Sequence, residues 1–382
     1  MRILLAVLVL ILPLAAQPPQ PSTFEGQPAL AISSGKLDVL ILATGATIAS
    51  VAVRDDPEHL NPLWNPIRIA RELGRTAGGG AGLGHFLCVD GFGPVSAEER
   101  AAGLPGHGEA HRQGFEILVS EKSSGVTTLR MSTRLPILHE AVTRTYRIVD
   151  DENILYVDTE IESLLGFDRP AVWAEHATIG SPFLEPGKTV VDISGSRSQT
   201  RPYDPSQGGR GLGKRLASGV DFTWPMAPLA SGGTVNLRAA PAETNSGDHT
   251  TTLMTGREHA WVVALHPGKQ LLTGWLFNPE EFPWLQTWEN YPPTGKMARG
   301  LEFSTQPYDV PRREAIQQGS MFGAPVYRWL PAKSKITSRF ILFHTRMPRD
   351  FEKVDDVAVE DGRIVIKSGT KALTLARSLP LW

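Results

Sequence analysis

One cysteine is all the chain carries. Cys88 alone cannot close an intramolecular disulfide, so no covalent staple stands in for a core. Its neighbours in His85-Phe86-Leu87-Cys88-Val89 are mostly apolar, which marks it as a small buried hydrophobe and not a nucleophile. Charge is sparse too. Only 20% of residues are charged, and 38 Lys and Arg against 40 Asp and Glu leave a formal net charge of -2. No long basic run upsets that balance, so neither nucleic acid nor an anionic membrane surface is an expected partner. Helical signals are few, no internal repeat stands out, and no apolar run reaches the ~20 residues of a membrane span.

What is present points to a β protein. Glycine at 37 and proline at 30 imply frequent chain reversals, and the 41% apolar fraction is enough for a real core. Met1-Arg2, the apolar run Ile3 to Leu14 and the small pair Ala15-Ala16 read as a secretory signal peptide over 1–16. The protein is therefore expected to be exported, to a periplasm or outside the cell, with an uncleaved anchor as the rival reading. Residues 17–29 read as a flexible Pro-rich lead-in, and 30–382 as one large domain.

Strand signals recur along that domain. Val39–Leu42 and Thr47–Val51 flank a turn at Gly45, and Val142–Ile148 and Ile154–Ile161 alternate around Asp150–Asn153 as the clearest hairpin. Asp361-Gly362 sets a second tight turn between apolar runs. Two short helices are expected: one after Asn65-Pro66, and one at Ser96-Ala97-Glu98-Glu99, which has capping-box spacing. Many strands without βα alternation predict an all-β fold of two large packed antiparallel sheets.

Three segments are unlike ordinary strand or turn: Gly103–His111, Trp173–Gly180 and Ala298–Pro307. In the first, His107 and His111 sit four apart, yet the order H-G-E-A-H and the flanking Gly and Pro argue against a helical zinc motif. A Gly-rich loop presenting imidazoles to a polar ligand, an idle surface turn, and a metal site completed by His176, for which no specific ligand spacing is present, are the open readings. In the second, Glu175 and His176 are adjacent, so in a strand they face opposite ways. In the third, Glu302 lies between Leu301 and Phe303. A carboxylate is costly to bury unless paired or used, and burial would raise its pKa towards useful base strength; on a solvated edge it would do nothing. Trp275, Phe277, Phe282, Trp284, Trp288 and Tyr291 crowd one stretch with Gln286, Glu289 and Asn290 among them. Sugars stack their C–H faces on aromatic rings and hydrogen-bond their hydroxyls to a few polar groups. Trp284, Gln286 and Trp288 are accordingly taken as a ligand rim in preference to core.

Taken in order, these segments resemble the aldose 1-epimerase (galactose mutarotase) family. His107-Gly108 resembles that family's early His-Gly loop, His176 its mid-chain histidine, and Glu302 with Ser304-Thr305-Gln306-Pro307-Tyr308-Asp309 its late glutamate and Gln-Pro run. Leu60–Trp64 and Tyr327–Phe340 are similar to its N-terminal hairpin exit and closing strand. Two departures stand out: Pro105-Gly106 replaces the usual Asn before His-Gly, and Ala177-Thr178-Ile179, not Tyr-Phe, follows His176. The resemblance implies a β-supersandwich and interconversion of sugar anomers, with a mono- or oligosaccharide as partner and neither cofactor nor metal required. It implies Glu302 as base, His176 as acid and His107 as stabiliser of developing charge, with His111 a further candidate for the same pocket; Arg68 is taken separately as a substrate contact. The other readings are a polysaccharide lyase, for which Arg68, Arg71 and Arg299 could bind an acidic sugar; a glycoside hydrolase pairing Glu302 with Glu175, Glu289 or Asp221; and a non-catalytic sugar-binding protein.

Overall fold

The computed structural model describes residues 17–76, 82–203, 212–242 and 244–382. The expected signal peptide, 1–16, lies outside them. Among the described residues two large antiparallel sheets dominate, one of eleven strands and one of eight. The larger runs in spatial order Gln20–Phe24, Gln27–Ser33, Leu37–Leu42, Ile48–Val53, His85–Val89, Trp173–Gly180, Ala298–Ser304, Trp284–Tyr291, Ser246–Leu253, Arg197–Thr200, Asp221–Thr223. The smaller runs Val190–Ile193, Ala260–His266, Leu271–Phe277, Lys335–Arg346, Ile154–Ser163, Glu140–Val149, Val126–Leu135, Glu116–Ser123. This is the expected all-β supersandwich.

The main core lies between the sheets. Val39, Ile41, Ile48 and Val51 meet Leu129, Val142, Tyr146, Leu155, Trp275 and Leu342 there. Alternation in Glu140–Val149 puts every second residue into that core and its neighbours towards water. Leu271–Phe277 does not alternate, because all seven residues are buried. The reason is a third layer: Asp356–Glu360, Arg363–Ser368 and Lys371–Ala376 form a small sheet. Its Val357, Ile364, Ile366 and Leu375 cover Ile154, Leu272, Leu276, Ile341 and Phe343 on the outer face of the eight-stranded sheet.

Local signals held where their chemistry was specific. Asn65 caps the helix Pro66–Glu72, its side chain accepting from the Arg68 amide. Ser96 and Glu99 complete the capping box of Ala97–Ala101. Asp361 and Gly362, with φ of 46° and 71°, make the two-residue turn between Glu360 and Arg363. One expectation is corrected. The lead-in 17–29 is not a free tether: Gln20–Phe24 turns at Glu25-Gly26 and pairs with Gln27–Ser33 as the edge of the larger sheet. An edge strand tolerates Pro21, which has no N–H to give, and that is why a Pro-rich segment can join a sheet.

Candidate active site

Strand alternation decides the chemistry of Trp173–Gly180. All eight of its residues are buried, so the two faces differ in company rather than in exposure. Glu175 points between the sheets. Its Oε2 lies 3.0 Å from both Arg144 Nη2 and His85 Nε2, and Trp173 Nε1 donates to Oε1 at 3.3 Å. Burial opposes ionisation there, yet Arg144 and His85 hold the carboxyl below its ordinary range. His176 points the other way, into a cavity of about 260 Å³ lined by Phe92, His107, His176, His249, Gln286, Trp288, Glu302 and Asp309.

Glu302 enters that cavity from the neighbouring strand. Its Oε1 stands 3.2 Å from His176 Nε2. The carboxyl lies back over Gly300, where an added Cβ would fall 2.0 Å from Oε1; glycine at 300 is what gives Glu302 its room. Gln286 sits directly across the ladder from Glu302 and donates to Oε2 at 2.8 Å. Burial pushes the Glu302 carboxyl up to about 8, against the pull of Gln286 and Arg201. The carboxyl is therefore mostly protonated at neutral pH.

Burial also drives the His176 imidazole well below its ordinary pKa, with His107 adding to the effect. Its ring stacks on Phe86 at 4.2 Å between centroids, and Nδ1 is 3.1 Å from Thr178 Oγ1. Glu302 and His176 thus share one exchangeable proton. Carboxylic acid with imidazole, and carboxylate with imidazolium, are tautomers with the same proton count.

His107 comes from the loop after the helix Ala97–Ala101, in a left-handed conformation with φ of 65°. Gly108 docks that loop on the His85–Val89 strand, where a Cβ would meet Val89 O at 2.0 Å. The Gly93 amide donates to His107 Nδ1 at 3.2 Å. A backbone N–H can only donate, so Nδ1 carries the lone pair. Burial, followed by Arg112, holds the imidazole down at about 4. The neutral ring therefore keeps its proton on Nε2, as a hydrogen-bond donor.

Of the residues proposed from sequence, the structure brings His107, His176, Gln286, Trp288 and Glu302 to one cavity. His111 stands behind them: its ring packs 5.4 Å from Phe86 and 6.3 Å from His107, and burial depresses its pKa to about 4. Trp284 is corrected from ligand rim to core. It is fully buried against Ala324 and Val326, its Nε1 donates to Pro325 O, and it opens the strand Trp284–Tyr291. Arg68 is likewise displaced, donating to Ser181 O and facing Glu72, not the cavity. Sequence reasoning assigned no role to Phe92, His249, Asp309 or Arg201. Arg201 pairs with Asp309 and donates to its carbonyl at 3.0 Å. His249 Nε2 is 3.9 Å from Asp309 Oδ1. The polar step Asp248-His249 in an otherwise Thr-rich strand was the available signal for His249; Arg201 had none.

The carboxylates considered as a hydrolase partner lie elsewhere. Glu175 is held between the sheets, Glu289 is buried with Arg215 and Arg299, and Asp221 is on an exposed edge strand bound to Gln199.

No protein-family model matches the sequence, and no curated protein does. Solved structures do match in shape. A Klebsiella pneumoniae protein described as a candidate aldose 1-epimerase superposes with a TM-score of 0.60 at 13% identity, covering 84% of this chain and 80% of its own. A galactose mutarotase-like protein from Clostridium acetobutylicum gives 0.59 at 11% identity, over 87% of this chain and 99% of its own. Another from Lactobacillus casei gives 0.54 at 13% identity, over 83% and 100%. The fold that the sequence resemblance implied is the fold these proteins share, and this chain has the galactose mutarotase-like β-supersandwich.

Proposed function

We propose that the protein is an aldose 1-epimerase that interconverts the anomers of a sugar by general acid–base ring opening. The observation that carries this is the Glu302–His176 pair, 3.2 Å apart, on the wall of a cavity sized for about one sugar ring. The anomeric oxygen and the ring oxygen are bonded to the same carbon, so two adjacent proton-transfer groups suit them. Glu302 takes the proton of the anomeric hydroxyl while His176 gives one to the ring oxygen. The C1–O bond of the ring breaks as the carbonyl forms, C1–C2 turns, and closure on the other face reverses both transfers. His107 Nε2–H supplies a hydrogen bond to developing negative charge. Trp288 and Phe92 give the sugar apolar surfaces.

A two-carboxylate hydrolase fits less well. Asp309 lines the cavity with Glu302, but Arg201 engages it, and hydrolysis requires opposed acid and base carboxyls flanking a glycosidic oxygen. The same reading retains 1–16 as an export signal, to be checked by the mass of the exported chain.

Polarimetry or NMR of freshly dissolved aldoses tests the proposal. The protein should speed anomeric equilibration, and Glu302→Gln should lower that rate by at least ~10²-fold. Failure of the native protein with every common aldose would remove the mutarotase reading for those sugars and bring uronate and oligosaccharide binding forward.

A further inference from the structure

A backbone amide fixes the orientation of the group that holds Glu302. The Asp309 N–H donates to Gln286 Oε1 at 2.7 Å. That amide has no acceptor to offer, so the Gln286 side chain can sit only one way round: oxygen to Asp309, NH₂ to Glu302. The NH₂ donates to Glu302 Oε2 at 2.8 Å. Oε2 is thereby committed as an acceptor, and Oε1 is left facing His176 Nε2 at 3.2 Å with no other hydrogen-bond partner among the described residues. Asp309 is itself held in place. Arg201 pairs with its carboxylate and donates to its carbonyl at 3.0 Å. Gly93 packs against it so closely that a Cβ there would lie 2.5 Å from Asp309 Cβ.

We propose that Arg201, the Asp309 backbone and Gln286 form a positioning relay that assigns the movable proton of Glu302 to Oε1, the oxygen facing His176. This deepens the epimerase reading and rests on it for its catalytic meaning, but the relay itself is a property of the resting protein. Without the relay the carboxyl could turn and present its proton from either oxygen. Oε1 is the oxygen that stands at His176 while Oε2 is held by Gln286, so misassignment would uncouple the acid from the base. Gln286 is thus a positioning residue, whatever contact it also makes with sugar. The ionisable groups around Glu302 are His176 on the adjacent strand, Arg201, His107 and Asp309 from loops, His249 across the cavity, and Cys88, whose thiol burial and the Glu302 charge push up.

The test is a carboxyl ¹³C NMR titration of Glu302 in the full chain, in the native protein and in Gln286→Leu and Gln286→Glu, alongside pH–rate profiles and thermal melts. Removing the donor to the ionised form should raise the Glu302 midpoint by about one pH unit in Gln286→Leu. The alkaline limb of the rate profile should move with it, while KM changes less than kcat. Gln286→Glu, the same shape with an acceptor in place of the NH₂, should raise the midpoint at least as far. A midpoint unchanged in both variants, with native melts, would overturn the relay. A shifted midpoint in a protein that accelerates no aldose would keep the relay and discard the epimerase reading instead.

Discussion

A carboxyl that prefers to be neutral makes two demands of opposite sign. Glu302 titrates at about 8 because burial outweighs Gln286 and Arg201, whereas in the unfolded chain it returns to the ordinary range near 4.5. The folded pKa is the higher one, so the folded state binds the proton more tightly. Its contribution to stability is fully present below about 4.5 and is lost progressively as pH rises to about 8. Glu302→Gln keeps the shape and the hydrogen bond but never ionises. Thermal melts at pH 8.5 should show the variant a few degrees more stable than the native protein, with the difference closing by pH 5; a lower melting temperature at both pH values would contradict the burial argument. Activity follows the same proton. The working pair needs one, His176 is neutral through the physiological range, and Glu302 loses its proton near 8. The profile of kcat/KM should be flat from pH 6 to 7 and fall tenfold per pH unit well above 8.

Each element contributes to the site by geometry that a single atom can spoil. Gly300 is not needed for its backbone freedom; its missing Cβ is the space the Glu302 carboxyl occupies. Gly300→Ala should displace that carboxyl from His176, lowering kcat by roughly 10–100-fold, the range expected from an ~1 Å misplacement of a reacting group, with little change in melting temperature. Gly108 is different. At φ of 72° and with Val89 O where its Cβ would be, Gly108→Ala should undock the His107 loop, costing stability as well as rate. Urea melts separate the two: Gly300→Ala should keep its midpoint while Gly108→Ala loses about 1–3 kcal/mol.

The whole molecule explains why so much charge is buried beside the site. Glu175, Arg144 and His85 lie between the sheets on the face opposite His176. Breaking one partner of such a cluster leaves an uncompensated charge, so Glu175→Ala should destabilise the protein by roughly 3–5 kcal/mol in equilibrium urea unfolding. The third layer is equally structural. Removing 356–382 should bare the apolar outer face formed by Ile154, Leu272, Leu276, Ile341 and Phe343, and size-exclusion chromatography should then show aggregates where the full chain elutes sharply.

The sequence by itself determined what depends on neighbours along the chain. Alternation specified the Glu140–Val149 and Ile154–Ser163 hairpin, Asp361-Gly362 the tight turn of the small C-terminal sheet, Asn65-Pro66 and the Ser96 box their helix starts, and the opposed directions of Glu175 and His176 followed from the pleat alone. Only the tertiary structure decided what depends on partners far away in sequence. Whether Trp284 lines a pocket or fills a core turned on Ala324 and Val326, about forty residues on. Whether 17–29 floats or pairs turned on the strand Gln27–Ser33 having an open edge. The cavity combines residues from 92 to 309; His249 joins it only because its strand pairs with Trp284–Tyr291, and Arg201, just past the next strand over, reaches it through Asp309. The physical reason is that pleat, cap and turn are set within a few residues, whereas desolvation and electrostatic pairing at Glu302 depend on which strands pack around it.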